Sequence, residues 1–400
     1  MSDVWVVGGA LAVTLGLSRV LGVAPLRLQA RGATLHARVS SAYALYGVVL
    51  VTLLNILTLA GLALDIVRNT DNSKRMVRGG SNTDFIMWML NMSVTQGLTT
   101  LAAYTGQRRM NSLIYQYNRL NKAISGMQRN NEKKKKRERK RIVICILLLT
   151  IHFAMVMHDF IYSVINALVL DKEVIVPCFY GAYYLSYFIE VVVGVQLLFL
   201  VYEIHAAMES LNEEMERIIT NIHETRPLHK AEEDSLRRIA LLYDSISDVV
   251  VHFNKEDGGL MLLKFASFNV YLMFTVYYFH ESLLASGGDL TLRDLIIQAM
   301  WSFSHITGMV CFVEPCHQTL QEVDRFRVLL TDLMYRTQPP GAPSSLCVDV
   351  LYKQLVLDTL AFSPLGVCTL TRSLFTAAIS TSTTCLVIVV QYRLGNVVKN

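Results

Sequence analysis

The sequence predicts an all-α polytopic membrane protein: seven transmembrane helices, a cytoplasmic N-terminus, an extracellular C-terminus and long cytoplasmic helical extensions. Three observations predict it. First, hydrophobic residues make up 52% of the 400 and charged residues only 17%, whereas average soluble domains run at roughly 45–50% and 25%. The mean hydropathy is correspondingly positive, at +0.38. Second, apolar stretches recur at the length that crosses a bilayer. Third, the basic residues are unevenly shared between the connecting segments. The same composition excludes a disordered or fibrous chain.

A spanning helix needs about 20 mostly apolar residues to cross roughly 30 Å of hydrocarbon. Seven stretches meet this demand: residues 42–64, 85–105, 142–170, 178–202, 260–284, 292–313 and 365–392. Residues 4–24 are also apolar, but Gly8, Gly9, Gly16, Gly22, Arg19 and Pro25 interrupt them. This first stretch is read as interfacial or packed on the bundle; an eighth crossing is the alternative. It lacks the basic start of a signal peptide.

Orientation follows from Lys and Arg, which concentrate on cytoplasmic segments. With the N-terminus inside, the interior segments hold 27 basic residues and the exterior ones 7. The densest group, Lys133 to Arg141, leads directly into the third span. It reads as an orientation-fixing stop, with phosphoinositide binding as the alternative. Residues 203–259 carry apolar positions at helical spacing (Leu211, Met215, Ile218, Ile219, Ile222, then Leu236, Ile239, Leu242, Ile246). Span four should therefore continue as a cytoplasmic helix, and a second helix should return to span five. Residues 314–357 repeat this pattern around a turn at Gln338 to Pro343.

The organisation that results has four parts. Residues 1–41 form a cytoplasmic or interfacial N-terminal segment, and 42–313 hold spans one to six with the ligand pocket and cytoplasmic helices. Residues 314–364 form a cytoplasmic anchor, and 365–400 hold span seven with a short extracellular tail.

Span seven differs from the other six. Thr376, Ser380, Thr384, Val387 and Gln391 recur at intervals of 4, 4, 3 and 4, so they share one helical face. Polar side chains in lipid are costly, so this face should meet protein or water. A water-filled pore among several chains is one outcome. Backbone bonding or helix–helix adhesion by Ser and Thr is the other.

At this helix the sequence resembles the insect gustatory receptors. Their closing signature is Thr-Tyr, five hydrophobic residues and Gln-Phe; here it is Thr384-Cys385-Leu386-Val387-Ile388-Val389-Val390-Gln391-Tyr392. The spacing is kept, with Cys385 and Tyr392 standing at the Tyr and Phe positions. Phe362, the run Leu365 to Leu370 and Ser373-Leu374-Phe375 look like the family's lead-in, with Thr371 at its usual Asp. Ser18 to Leu26 is similar to its N-terminal stretch. The resemblance implies a ligand-gated, non-selective cation channel in the plasma membrane of a sensory neuron dendrite. It further implies four subunits, as a homo- or hetero-tetramer with family members, joined mainly by their cytoplasmic helix ends. The last helices would line a central pore, with Gln391 and Tyr392 at the gate and Val387, Thr384 and Ser380 along the lining.

Polar and aromatic residues also gather at similar depth on five other spans. They are Trp88 on span two; Asp159 and Tyr162 on span three; Tyr187 and Glu190 on span four; Tyr278 on span five; and Trp301 and His305 on span six. Charges such as Asp159 and Glu190 should face a hydrated cavity or a partner. Apolar walls with converging polar groups describe a small-molecule site. A sugar would use the hydroxyls and an aromatic platform; a bitter, cationic ligand would use the rings with an acid. The tyrosine-rich, acid-poor set leans towards a bitter or other non-volatile tastant. Alternatively, some of the Tyr and Trp residues form an interfacial belt.

Other classes fit less well. A G-protein-coupled receptor needs the opposite orientation, and neither Asp/Glu-Arg-Tyr after span three nor Asn-Pro-x-x-Tyr in span seven is present. A secondary transporter should show internal repeats or paired broken helices, and neither is legible. An enzyme is not expected: His280-Glu281-Ser282-Leu283-Leu284 begins like a zinc helix but ends in Leu. No cofactor, metal site or nucleic-acid partner is expected; the partners are a tastant, cations, membrane lipid and further subunits.

Overall fold

The computed structural model describes the chain apart from residues 1–4, 8, 32–33, 68–81, 126–130, 170–174, 223–229, 285–291, 338–345, 358–359 and 398–400. Ten α-helices carry nearly all of it. They are α1 (Gly9–Val20), α2 (Ser41–Val67), α3 (Asn82–Ser125), α4 (Asn131–Val169), α5 (Ile175–Asn221), α6 (Lys230–Glu256), α7 (Gly258–Leu284), α8 (Leu292–Thr337), α9 (Leu346–Leu357) and α10 (Arg372–Val397).

Five of the described helices, α2, α4, α5, α7 and α8, contain stretches long and apolar enough to cross a membrane. The other two expected spans lie on α3 and α10, which are 44 and 26 residues long. Both have the length, but both carry polar stripes: Thr95, Gln96, Thr99 and Thr100 on α3, and the Ser/Thr run on α10. At 1.5 Å per residue, α3, α5 and α8 are each about 65–70 Å long, roughly twice a bilayer's hydrocarbon. Helices of such length run on past any membrane they cross, and their extensions form a packed body. There the α5 extension, α6, the α8 extension and α9 close around Leu211, Met215, Leu236, Ile239, Tyr243, Ile246, Phe326, Leu330 and Leu351, all fully buried. The apolar periodicity of residues 211–246 is thus a helix-packing stripe.

The first stretch of the chain forms α1, whose 12 residues cover about 18 Å, too short to cross a bilayer. Leu11 and Leu15 are buried in a cluster with Met110, Ile114, Cys145 and Phe199, so α1 is packed on the bundle. Around it lies a small antiparallel sheet that the apolar pattern does not announce: β1 (Trp5–Val7), β2 (Leu26–Arg31) and β3 (Thr34–Val39), in the order β1-β3-β2. Gly22, at φ +76°, makes the turn out of α1. It also lies against Gly47 of α2, where an added Cβ would sit 2.7 Å from backbone.

Candidate functional site

The eight pocket residues nominated from sequence come together in one network between α3, α4, α5, α7 and α8. Tyr187 is its hub. Its ring meets Tyr271, Trp301 and His305 edge-on, at centroid distances of 5.3, 5.4 and 6.3 Å. Trp301 stacks on His305 at 5.5 Å, and its indole N–H donates to Asp159 Oδ2 at 3.0 Å. His158 joins Asp159 at 3.4 Å and stacks on Tyr162. Trp88 packs edge-on against Phe274 at 5.2 Å and Tyr183 at 6.0 Å, and Phe274 carries the chain of rings on to Tyr278 at 4.6 Å. Trp88, Tyr183 and Tyr184 are buried, so they do not form a lipid-facing belt.

Glu190 lies deepest and is fully buried. It faces no open cavity; it faces a partner. Lys264 Nζ on α7 donates to its Oε1 at 2.9 Å, Ser267 Oγ donates to the same oxygen at 2.7 Å, and the Tyr271 hydroxyl donates to Oε2. Tyr271 in turn bonds Thr95 of α3 at 2.6 Å. Beside this floor, the His152 imidazole bonds Ser304 at 3.0 Å and the Leu148 carbonyl at 2.8 Å. A buried carboxylate requires compensation of this kind, because an unpaired charge in hydrocarbon costs several kcal/mol or more. Lys264 lies within the fifth apolar stretch, and its pairing with Glu190 was not anticipated from sequence. The signal was there: an isolated acid in one span calls for an isolated cation in another.

The proposed pore face is presented outward. Ala378 and Ser382 of α10 are buried against α7 and α8, while Thr376, Ser380, Thr384, Val387 and Gln391 are exposed. Two residues along a helix is about 200° of rotation, so the stripe lies opposite the packed side. Thr376 and Thr384 donate to the Ser373 and Ser380 carbonyls at 2.9 and 3.0 Å. Each hydroxyl oxygen keeps lone pairs directed away from the helix. Tyr392 is on α10, but its side chain lies outside the described residues, as do the side chains of Lys133 to Lys136 and the turn at 338–343.

Two contacts that sequence did not announce tie α10 to the rest. Asn254 of α6 grips the lead-in to α10 from both sides: its amide donates to the Ala361 carbonyl at 2.8 Å and accepts from the Ser363 N–H at 3.0 Å. Phe362 is buried edge-on against Phe253. The lead-in then turns through Leu365 (φ +51°) and Gly366 (φ +71°). A Cβ on Gly258, at the α6–α7 break, would lie 2.8 Å from the Leu365 nitrogen. In the second contact, Arg372 at the head of α10 forms a bidentate pair with Glu314 of α8, at 2.9 and 2.5 Å. The α6–α7 break also holds a buried charge pair. Arg109 Nε is 3.9 Å from Asp257 Oδ1, and Arg109 Nη2 donates to Gln196 Oε1 at 2.6 Å and to the Val23 carbonyl at 3.1 Å. Burial pushes Asp257 up from an ordinary 3.8 to about 6, against the pull of Arg109. Burial likewise lowers Arg109.

A bundle of long helices with an aromatic, polar-floored cluster between five of them and a polar face on the last defines a polytopic receptor fold. The chain belongs to the 7tm Chemosensory receptor family, whose pattern matches residues 11–396. Over 196 residues it is 24% identical to the gustatory receptor for sugar taste 43a of Drosophila melanogaster, covering 48% of this chain and 42% of that one. The match therefore spans less than half the relative's length. The fold is similar to that of the insect olfactory receptor OR5 from Machilis hrabei, with a TM-score of 0.64, 11% identity and coverage of 95% of this chain and 97% of that one. The same receptor in complex with eugenol aligns at a TM-score of 0.61, with 11% identity and the same coverage of both chains. The insect chemoreceptor resemblance read from α10 and its lead-in is thus met across the chain.

Proposed function

We propose that this protein is a gustatory, contact-chemosensory receptor that acts as a ligand-gated, non-selective cation channel in the plasma membrane. Seven spans, a cytoplasmic N-terminus and an extracellular C-terminus are part of the proposal, supported by the 27-to-7 split of basic residues. The observation that carries it is the α10 stripe. Thr376, Ser380, Thr384 and Gln391 stand exposed on a helix whose other side is packed. Such a face is too polar for lipid and is satisfied when four copies enclose water. Hydroxyl oxygens that already donate to their own backbone present lone pairs, which suits cations better than anions. Exposed apolar residues on the cytoplasmic helices, among them Val328, Tyr335, Val350 and Val356, supply contact area for the neighbouring subunits.

The ligand enters the Tyr187 network from the outer side and parts the rings that close it. Its class is a bitter or other non-volatile small molecule. A sugar is the second reading, and two observations favour it: the similarity to a sugar-taste receptor and the neutralisation of Glu190 by Lys264, which removes that carboxylate as a counter-ion for a cationic ligand. Opening of the network moves α7, and through Asn254, Gly258 and the Leu365 turn it moves α10. Expression in a heterologous cell, with a panel of sugars and bitter compounds, tests this reading. Ligand-evoked cation current without G-protein signalling is expected, and Gln391→Ala should alter that current at unchanged surface level. Unaltered currents from Gln391→Ala would remove Gln391 from the pore.

A further inference from the structure

In the N-terminal sheet two arginines, Arg27 and Arg38, are paired with each other across neighbouring strands. They are direct partners in the β2–β3 ladder, so both side chains leave the same face, with Cβ atoms about 5 Å apart. Like charges directly opposite each other destabilise a hairpin. Both side chains are exposed. From Val4 to Leu64 the sequence contains no Asp or Glu, and neither does 85–125 of α3. These stretches include α1 and the part of α3 that packs against the sheet. Among the described residues neither arginine has an acidic partner. Arg19, by contrast, is engaged within the chain: its guanidinium lies 4.5 Å over the Tyr43 ring and bonds the Tyr43 hydroxyl. That contact pins α1 to the first turn of α2. Arg38 is three residues from Ser41, where the first apolar helix begins, so it lies within about 10 Å of the bilayer surface.

We propose that the face bearing Arg27 and Arg38 binds the headgroup of an anionic glycerophospholipid in the cytoplasmic leaflet. The juxtaposed guanidiniums supply a fork for one phosphate or carboxylate, and the leaflet is the nearest dense source of such groups. The lipid holds the sheet, and through the Arg19–Tyr43 contact α1, at the base of α2. The leaflet assignment rests on the cytoplasmic N-terminus proposed above; the binding chemistry does not.

The test uses the full chain in neutral detergent, titrated with fluorescent phosphatidylserine, with phosphatidylcholine of the same tails, and with free phosphoserine. Phosphatidylserine should bind tightest, and Arg27→Gln/Arg38→Gln should weaken it about thirtyfold, from roughly 1 kcal/mol per charge near an anionic surface. Arg27→Lys/Arg38→Lys, which keeps the charge without the fork, should restore part of the affinity, which separates lost charge from lost folding. Equal affinity for phosphatidylcholine, unchanged binding by the Gln pair, or phosphoserine binding as tightly as the lipid would each overturn the proposal. So would cross-linking of this face to an acidic helix of a second copy. An N-terminal tag reached by antibody on intact cells would overturn the topology alone, leaving the detergent titration intact.

Discussion

Glu190 of α5 and Lys264 of α7 form an ion pair at 2.9 Å in which neither charged group is open to its surroundings. The pair sits beneath the aromatic cluster and joins it to the helix that leads back to the α6–α7 break. Removing one partner of a buried pair leaves a stranded charge, which costs about 3–5 kcal/mol. Lys264→Met is therefore expected to lose most of its surface protein and several degrees of thermal midpoint, while Glu190→Gln/Lys264→Met recovers most of both. Thermal unfolding of the purified variants checks this. A Lys264→Met protein as stable as the parent would show that the pair bears no load.

At the mouth of the network, Trp301→Phe keeps the ring and deletes the donor to Asp159. A hydrogen bond to a charged group contributes about 1.5–3 kcal/mol. The concentration for half-maximal response should therefore shift by about tenfold or more, at unchanged surface expression. Dose–response curves in expressing cells decide it, and superimposable curves would move the ligand elsewhere.

The hold of Asn254 on residues 361 and 363 predicts a gating defect more than a binding defect. Asn254→Ala strands a carbonyl and an N–H in the lead-in to α10, at a cost of about 1–3 kcal/mol per buried group. Maximal current should fall while ligand affinity, read by binding to purified protein, stays within about threefold. A loss confined to affinity would contradict coupling through this loop.

Asp257 gives a pH dependence with a definite sign. Its carboxyl is raised from 3.8 to about 6 in the folded protein. The associated stabilisation is complete below the unfolded value and lost as pH rises through about 6; its size is about 3 kcal/mol. Between about pH 7 and pH 5 the parent should therefore gain thermal stability relative to Asp257→Asn, measured in the same detergent. Parallel curves for the two proteins would show that Asp257 does not titrate in this window.

What was legible in the sequence is what membrane energetics makes expensive. Asp159, Trp301 and His305 stand out in apolar helices, and the structure joins them because a polar group there needs a partner. The packed helices of residues 211–246 were legible in Ile218, Ile239 and Ile246, because a packing stripe keeps helical period. The sheet was not, because β2 and β3 are six residues each and lie between apolar helices that swamp their alternation. The turn at Leu365 escaped notice for another reason: a Leu at positive φ is held there by its surroundings, with no signal in the residue itself. The Asn254 clamp and the Arg109–Asp257 pair join residues more than a hundred apart, and no local pattern encodes such contacts.

The pore role of α10 is tested most directly by placing a thiol on its exposed face. Thr384→Cys in a Cys385→Ser background, assembled in cells and exposed to a small, positively charged thiol reagent, should lose ligand-evoked current, faster when ligand holds the channel open. Ala378→Cys, on the packed side of the same helix, should stay unmodified. Full current from a Thr384→Cys channel whose modification is verified by mass spectrometry would contradict the account.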